Sequence, residues 1–139
     1  MTLILNRRTL ICLQRYNDGK YLPIKVNIDH LALCGHLSAI IYFNNNPMVR
    51  CTSNAMDWAA KSGYLNIVKW LHNNRSEGCS AYAMNDASFC GHLNVMIWLR
   101  NNRDEGCTMC EIHGAMTNAL RNNNIKVIEF LKQHYCFFV

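Results

Sequence analysis

The sequence lacks any apolar run approaching the roughly 18 to 20 residues that cross a bilayer; runs such as Ala39 to Phe43 are far shorter. A transmembrane helix is excluded, and no membrane partner is expected. Also missing are the short motifs that announce common chemistries: a glycine-rich phosphate loop, a nucleophile elbow, and His-Glu-x-x-His. The six histidines are dispersed. Neither an enzyme nor a cofactor is expected. There is no basic cluster either. Fourteen Lys and Arg against nine Asp and Glu give a net charge of +5, but only Arg7 and Arg8 are adjacent, so nucleic acid is not an expected partner. The amino end, MTLILNRRTLICLQRY, places its apolar residues before its arginines. That reverses the order of a secretory signal, and a cytoplasmic protein is expected.

What the sequence does contain is an internal copy of itself. AMDWAAKSGYLNIVKWLHNNRSEGCS, Ala55 to Ser80, recurs twenty-eight residues later as AMNDASFCGHLNVMIWLRNNRDEGCT, Ala83 to Thr108. A landmark of Gly-His-Leu type tracks the period at Gly35, Gly63 and Gly91, and again at Asn123-Asn124-Ile125, with spacings of 28, 28 and 32. Glycine and asparagine best tolerate the left-handed conformation just past a helix end, so all four mark helix stops. Each unit then holds one helix before the landmark and one after it. In the second unit these are expected at about Ala55–Ser62, rich in small residues, and Leu65–Asn74, with a broad apolar face of Leu65, Ile67, Val68, Trp70 and Leu71. Asparagine pairs at 45–46, 73–74 and 101–102 end the second helices, and Ser76–Ser80 and its counterpart Asp104–Thr108 are turns.

The expected units are a partial one over 1–26 and four fuller ones over 27–53, 54–81, 82–113 and 114–139, the last following a four-residue insertion within Met109–Gly114. A lone unit buries too few side chains to offset the entropy of ordering its backbone, so the units must stack into a quasi-one-dimensional solenoid.

Eight cysteines would suit a secreted disulfide framework, but their register opposes it. Cys51, Cys79 and Cys107 share one point of the repeat, and Cys34 and Cys90 share another. Positions repeated in this way are expected to be reduced packing positions. An aromatic row, Tyr42, Trp70, Trp98 and Phe130, is followed each time by Phe43, Leu71, Leu99 or Leu131. A base-stacking row is conceivable, but a helical stripe of this kind is expected to form a hydrophobic spine between units.

The pattern A-M-D-W-A-A-x-x-G-x-L-x-x-V-x-W-L, Ala55 to Leu71, resembles the ankyrin repeat, whose line is T-P-L-H-x-A-A-x-x-G-H-x-x-V-V-x-x-L-L. The resemblance extends over about Asn27 to His134. The run Trp70 to Arg75 further resembles the divergent ankyrin arrays of giant viruses of amoebae. It implies an all-α fold, an ankyrin-like solenoid of stacked antiparallel helix pairs. The units are about five residues shorter than the family's, and the loss falls in the connection, so the β-hairpin fingers are expected to be shortened to turns. The family's opening Thr-Pro-Leu-His is absent, and Asp29, Asp57 and Asn85 are the residues placed to make the inter-unit hydrogen bonds implied by its histidine.

The resemblance also implies a non-catalytic protein-interaction module that binds through the exposed side of its first helices. Matched residue by residue, one column on that side is Leu33, Lys61, Phe89 and Arg121, and a second is His30, Trp58, Asp86 and Asn118. The partner implied is a protein, one of a host cell if the chain is viral. Trp58 and Phe89 would be its anchors; the alternative for Trp58 is that it merely covers the neighbouring helix. A second function reading is a fragment or decayed copy of a longer array.

Two local motifs are weighed and set aside, and the two chain ends carry an expectation of their own. Cys107-x-x-Cys110-x-x-His113 supplies three metal ligands where structural zinc takes four, and no second cluster accompanies it. No metal is expected. Cys136-Phe-Phe-Val ends as a prenylation box would, but its valine and bulky phenylalanines do not fit one. The apolar ends MTLIL and CFFV either fold back as caps or drive end-to-end self-association.

Overall fold

Four left-handed residues divide the chain into helix pairs: Gly35, Gly63 and Gly91 at φ 78° to 79°, and Asn123 at φ 54°. The computed structural model describes residues 26–103 and 109–135, and for residues 109–111 the backbone alone. Among these residues the first pair is α1 (Ile28–Leu33) and α2 (Leu37–Phe43), and the second α3 (Asn54–Ser62) and α4 (Leu65–Asn74). The third is α5 (Tyr82–Cys90) and α6 (Leu93–Asn102), and the fourth α7 (Met109–Arg121) and α8 (Ile125–His134). The all-α stack of helix pairs expected from the sequence is present. The partial unit before residue 26, the Asp104–Thr108 link and the CFFV end lie outside the described residues.

The first helices, α1, α3, α5 and α7, lie side by side in one layer. Close approach is possible because their inward positions are small: Ala32, Ala59, Ala60, Ala87, Ser88, Ala115 and Ala119 are all fully buried. The second helices supply the larger side chains, with Ile40, Ile67, Val68, Leu71, Val95, Met96, Leu99, Val127 and Leu131 buried against that layer. Burying a side chain of this size contributes about 1.5–3 kcal/mol. The core is therefore a continuous slab shared by all four pairs, so each pair depends on its neighbours.

The four extra residues before the last pair form helix. α7 has 13 residues against 9 in α5, about one added turn, and the unit boundary drawn between His113 and Gly114 falls inside it. The connections carry no strand among the described residues. Arg75 is extended at φ −131° and Gly78 is left-handed at φ 71°, and pairing is limited to one isolated bridge between Asn27 and Arg50. In the connections among the described residues no β-hairpin finger forms, as their shortened length implied.

Two carboxylates lock successive units. Asp29 accepts hydrogen bonds from the Thr52 amide (2.8 Å) and hydroxyl (2.7 Å), and Asp57 accepts the same pair from Ser80 (2.8 and 2.6 Å). The captured hydroxyls in turn cap the next first helix, Thr52 Oγ1 accepting from the Asn54 amide and Ser80 Oγ from that of Tyr82. Asp29 and Asp57 thus bond the connection that closes their own unit, and they reach the next unit only through the hydroxyl that caps its first helix, rather than by the direct inter-unit bond anticipated for them. Asn85 is the third member of the row; its counterpart partner, Thr108, lies outside the described residues, and its Oδ1 is buried without a hydrogen bond beside Gly114.

Two expectations are corrected. The aromatic row is a spine only in part: Phe130 is buried and the half-buried Trp70 and Trp98 pack against the core, but Tyr42 is 61 % exposed. The following position, Leu71, Leu99 or Leu131, is the more deeply buried one in each of the last three pairs. Cys34 and Cys90 are exposed rather than packed, because their row closes the first helices at the surface. Cys51 and Cys79 do pack against the core, half-buried, and none of these four cysteines is in a disulfide.

Candidate functional site

The helix stops fix where the first helices end, and so which side chains face outward along their last turns. The column Leu33, Lys61, Phe89 and Arg121 occupies the final or penultimate position of α1, α3, α5 and α7. All four side chains are exposed, and Leu33 and Phe89 are 37 % and 46 % accessible despite being apolar. One turn earlier lie His30, exposed, and Trp58, Asp86 and Asn118, each half-buried.

Two contacts join neighbouring units across this face. The His30 ring meets Trp58 edge-on at 5.4 Å between centroids, and Lys61 Nζ lies 4.0 Å from Asp86 Oδ2. Trp58 therefore does cover its neighbour in part, but its remaining surface stays open beside Lys61. The exposed Lys61–Asp86 pair contributes little to stability.

A row of which the sequence singled out only the two cysteines holds the column in place. It reads Cys34, Ser62, Cys90 and Asn122, and its polar members reach back to the preceding unit. Ser62 Oγ donates to the Leu33 carbonyl (3.2 Å), and Asn122 Nδ2 donates to that of Phe89 (2.8 Å). Asn124 Nδ2 donates to both Ser88 and Phe89 carbonyls (3.2 and 3.1 Å). The asparagine run 122–124 was the available signal, though in sequence it reads simply as a helix stop.

The opposite side of the stack is electrostatically tighter. Arg75 forms an ion pair with Glu77 and donates to the Asn44 carbonyl and side chain (both 3.3 Å). One unit on, Arg103 meets His72 Nδ1 at 3.1 Å, and at the end the roles exchange, with Arg100 lying 5.7 Å from the Tyr135 ring centre. Arg75's hydrogen bonds hold the Glu77 carboxyl below its usual range. Burial, and after it the Glu77 charge, push the Cys51 thiol up to about 11. Burial also raises Asp57, against the opposing effect of its Ser80 bonds. Cys51, Arg75 and Glu77 line one narrow crevice, which has no room for a water molecule. Among the described residues no three metal-binding side chains converge, and the Cys107–His113 motif falls largely outside them.

One groove was not legible in the sequence. It lies between α6 and α8, encloses about 410 Å³, and is floored by Leu93, Ile97 and Phe130 with Arg100, Lys126 and Glu129 at its rim. On it the Phe130 ring lies tilted against His134 at 4.7 Å, whereas its counterpart Trp98 stands edge-on against His72 at 5.0 Å.

No helix among the described residues is long and apolar enough to cross a membrane. Compared with known families, residues 56–100 match the model for ankyrin repeats (many copies). Neither the curated proteins nor the solved structures gave a match.

Proposed function

We propose that the chain, whose residues 56–100 match the ankyrin repeat model, is a non-catalytic interaction module gripping a partner protein through the exposed face of α1, α3, α5 and α7, because such repeats generally mediate contacts between proteins. The observation that carries this reading is the column of Leu33, Lys61, Phe89 and Arg121. Its members change from apolar to cationic between units, while the inward positions of the same helices stay small and buried. Packing explains the second set and leaves the first without a structural task. Leu33 and Phe89 supply accessible apolar area, Lys61 and Arg121 flank it, and Trp58 adds an aromatic edge, the composition that concentrates binding energy in interfaces. The partner is a protein of the host cell if the viral resemblance of the Trp70–Arg75 run holds.

The test is a capture experiment from host lysate comparing the native chain with Trp58→Ala plus Phe89→Ala, with helicity checked by circular dichroism. Specific retention of a protein by the native chain and its loss in the folded variant are expected. Retention of no specific protein would favour the reading of the chain as a decayed or partial array.

A further inference from the structure

Adjacent packed helices lie about 8–10 Å apart, so the column crosses the stack as apolar, cation, apolar, cation at roughly that interval. A bound segment must present complementary groups at the same spacing. Polyproline II advances about 9.3 Å per three-residue turn and returns each third side chain to the same face. A β-strand puts residues three apart on opposite faces, and an α-helix covers that distance in about six residues, which turns the side chain away from the starting face. The spacing therefore favours a polyproline II backbone running across the helices.

The charge is equally selective. Lys61 pairs with Asp86 only at 4.0 Å, with the two side chains 52 % and 33 % accessible, a geometry that leaves the ammonium available. Arg121 makes no ion pair among the described residues. The apolar members are pre-set, since the backbone carbonyls of Leu33 and Phe89 are tied to the following unit by Ser62, Asn122 and Asn124. A platform already ordered before binding loses less entropy on binding.

Resting on the reading of this face as the partner surface, we propose that the column Leu33, Lys61, Phe89 and Arg121 receives an acidic polyproline II segment of the partner, with apolar and carboxylate side chains alternating at every third residue.

The probe is a fluorescein-labelled peptide of roughly ten residues, with leucine and glutamate alternating at every third position, proline after each, and serine elsewhere. Anisotropy titration with the intact chain should show saturable binding, weakened at least about tenfold when lysines replace the glutamates. Lys61→Glu with Arg121→Glu should reverse the preference, so that the lysine peptide becomes the tighter one. This exchange separates lost recognition from lost folding. Equal affinity for the two peptides, no reversal in the variant, or no binding of the glutamate peptide overturns the proposal. If the peptide fails while lysate capture remains dependent on Phe89, the chemistry assigned to the segment falls and the interaction module stands; failure of both experiments removes both.

Discussion

Gly63 lies directly against the imidazole of His92 in the next unit: a Cβ on Gly63 would stand 2.6 Å from both Nδ1 and Cε1 of that ring. The relationship recurs along the stack. A Cβ on Gly35 would meet the Tyr64 ring at 2.7 Å, and one on Gly91 the Asn124 side chain at 3.0 Å. The residue after each stop thus fills the space its predecessor's glycine leaves open. The landmark that ends a helix also seats the neighbouring unit.

Gly63→Ala is expected to cost more than the about 1–2 kcal/mol of holding an L-residue in the left-handed region, because the His92 ring must also move. Gly91→Ala shares the same φ of 78° but meets only the tip of Asn124, so its cost should stay near the backbone value. Urea unfolding followed by circular dichroism measures both. Equal losses would show that the ring contact adds nothing.

Asp57→Ala should destabilise by about 2 kcal/mol, since it strips the Ser80 amide and hydroxyl of their acceptor inside the stack. Asp57→Asn keeps one acceptor and removes the charge. The folded-state pKa of Asp57 is raised above its ordinary 3.8 by burial. Its titration therefore favours the folded chain fully below that pH, and the contribution disappears as pH rises through the raised value. The native chain should lose stability relative to Asp57→Asn as pH climbs above 3.8 and then run parallel to it. A constant difference across an acid-to-neutral series would contradict the burial effect.

Thiol labelling should separate cysteines that share a repeat pattern. Cys34 and Cys90 are exposed, whereas Cys51 is half-buried with its thiol pushed up to about 11. Because the thiolate is the reacting form, iodoacetamide at pH about 8 should modify Cys34 and Cys90 well before Cys51. Peptide mass spectrometry over a time course would show the order, and early modification of Cys51 would reject it.

Ala32, Ala60, Ser88 and Leu120 occupy one row, the first three fully buried and the last 58 % exposed. Ala60→Leu should force α3 and α5 apart and cost about 1–3 kcal/mol by overpacking. Leu120→Ala should change stability by less than about 0.5 kcal/mol. Thermal melts of the two variants test the contrast. A large loss at Leu120 would mean that its side chain is covered in solution.

Much of this architecture was legible in the chain itself. The period, the Leu65–Asn74 helix and the stops at Gly35, Gly63 and Gly91 follow from chemistry that acts within a few residues: apolar spacing sets the helix face, and the left-handed conformation selects glycine. The shortening of the fingers was equally readable, since a deleted segment cannot form a hairpin. The columns of the candidate site could be listed from register alone.

Which equivalent positions are covered was decided only by stacking. Cys34 and Cys51 look alike as repeated cysteines, yet one is exposed and the other packs against the core. Tyr42 and Phe130 share a register, but only Phe130 is buried. The bonds that hold Leu33 and Phe89 in place run between residues 29 to 35 positions apart in the chain. Local patterning carries no record of such distances. The sequence determined that these units stack and where each helix stops. The stack decided which side chains remained outside, because exposure belongs to the neighbour as much as to the residue.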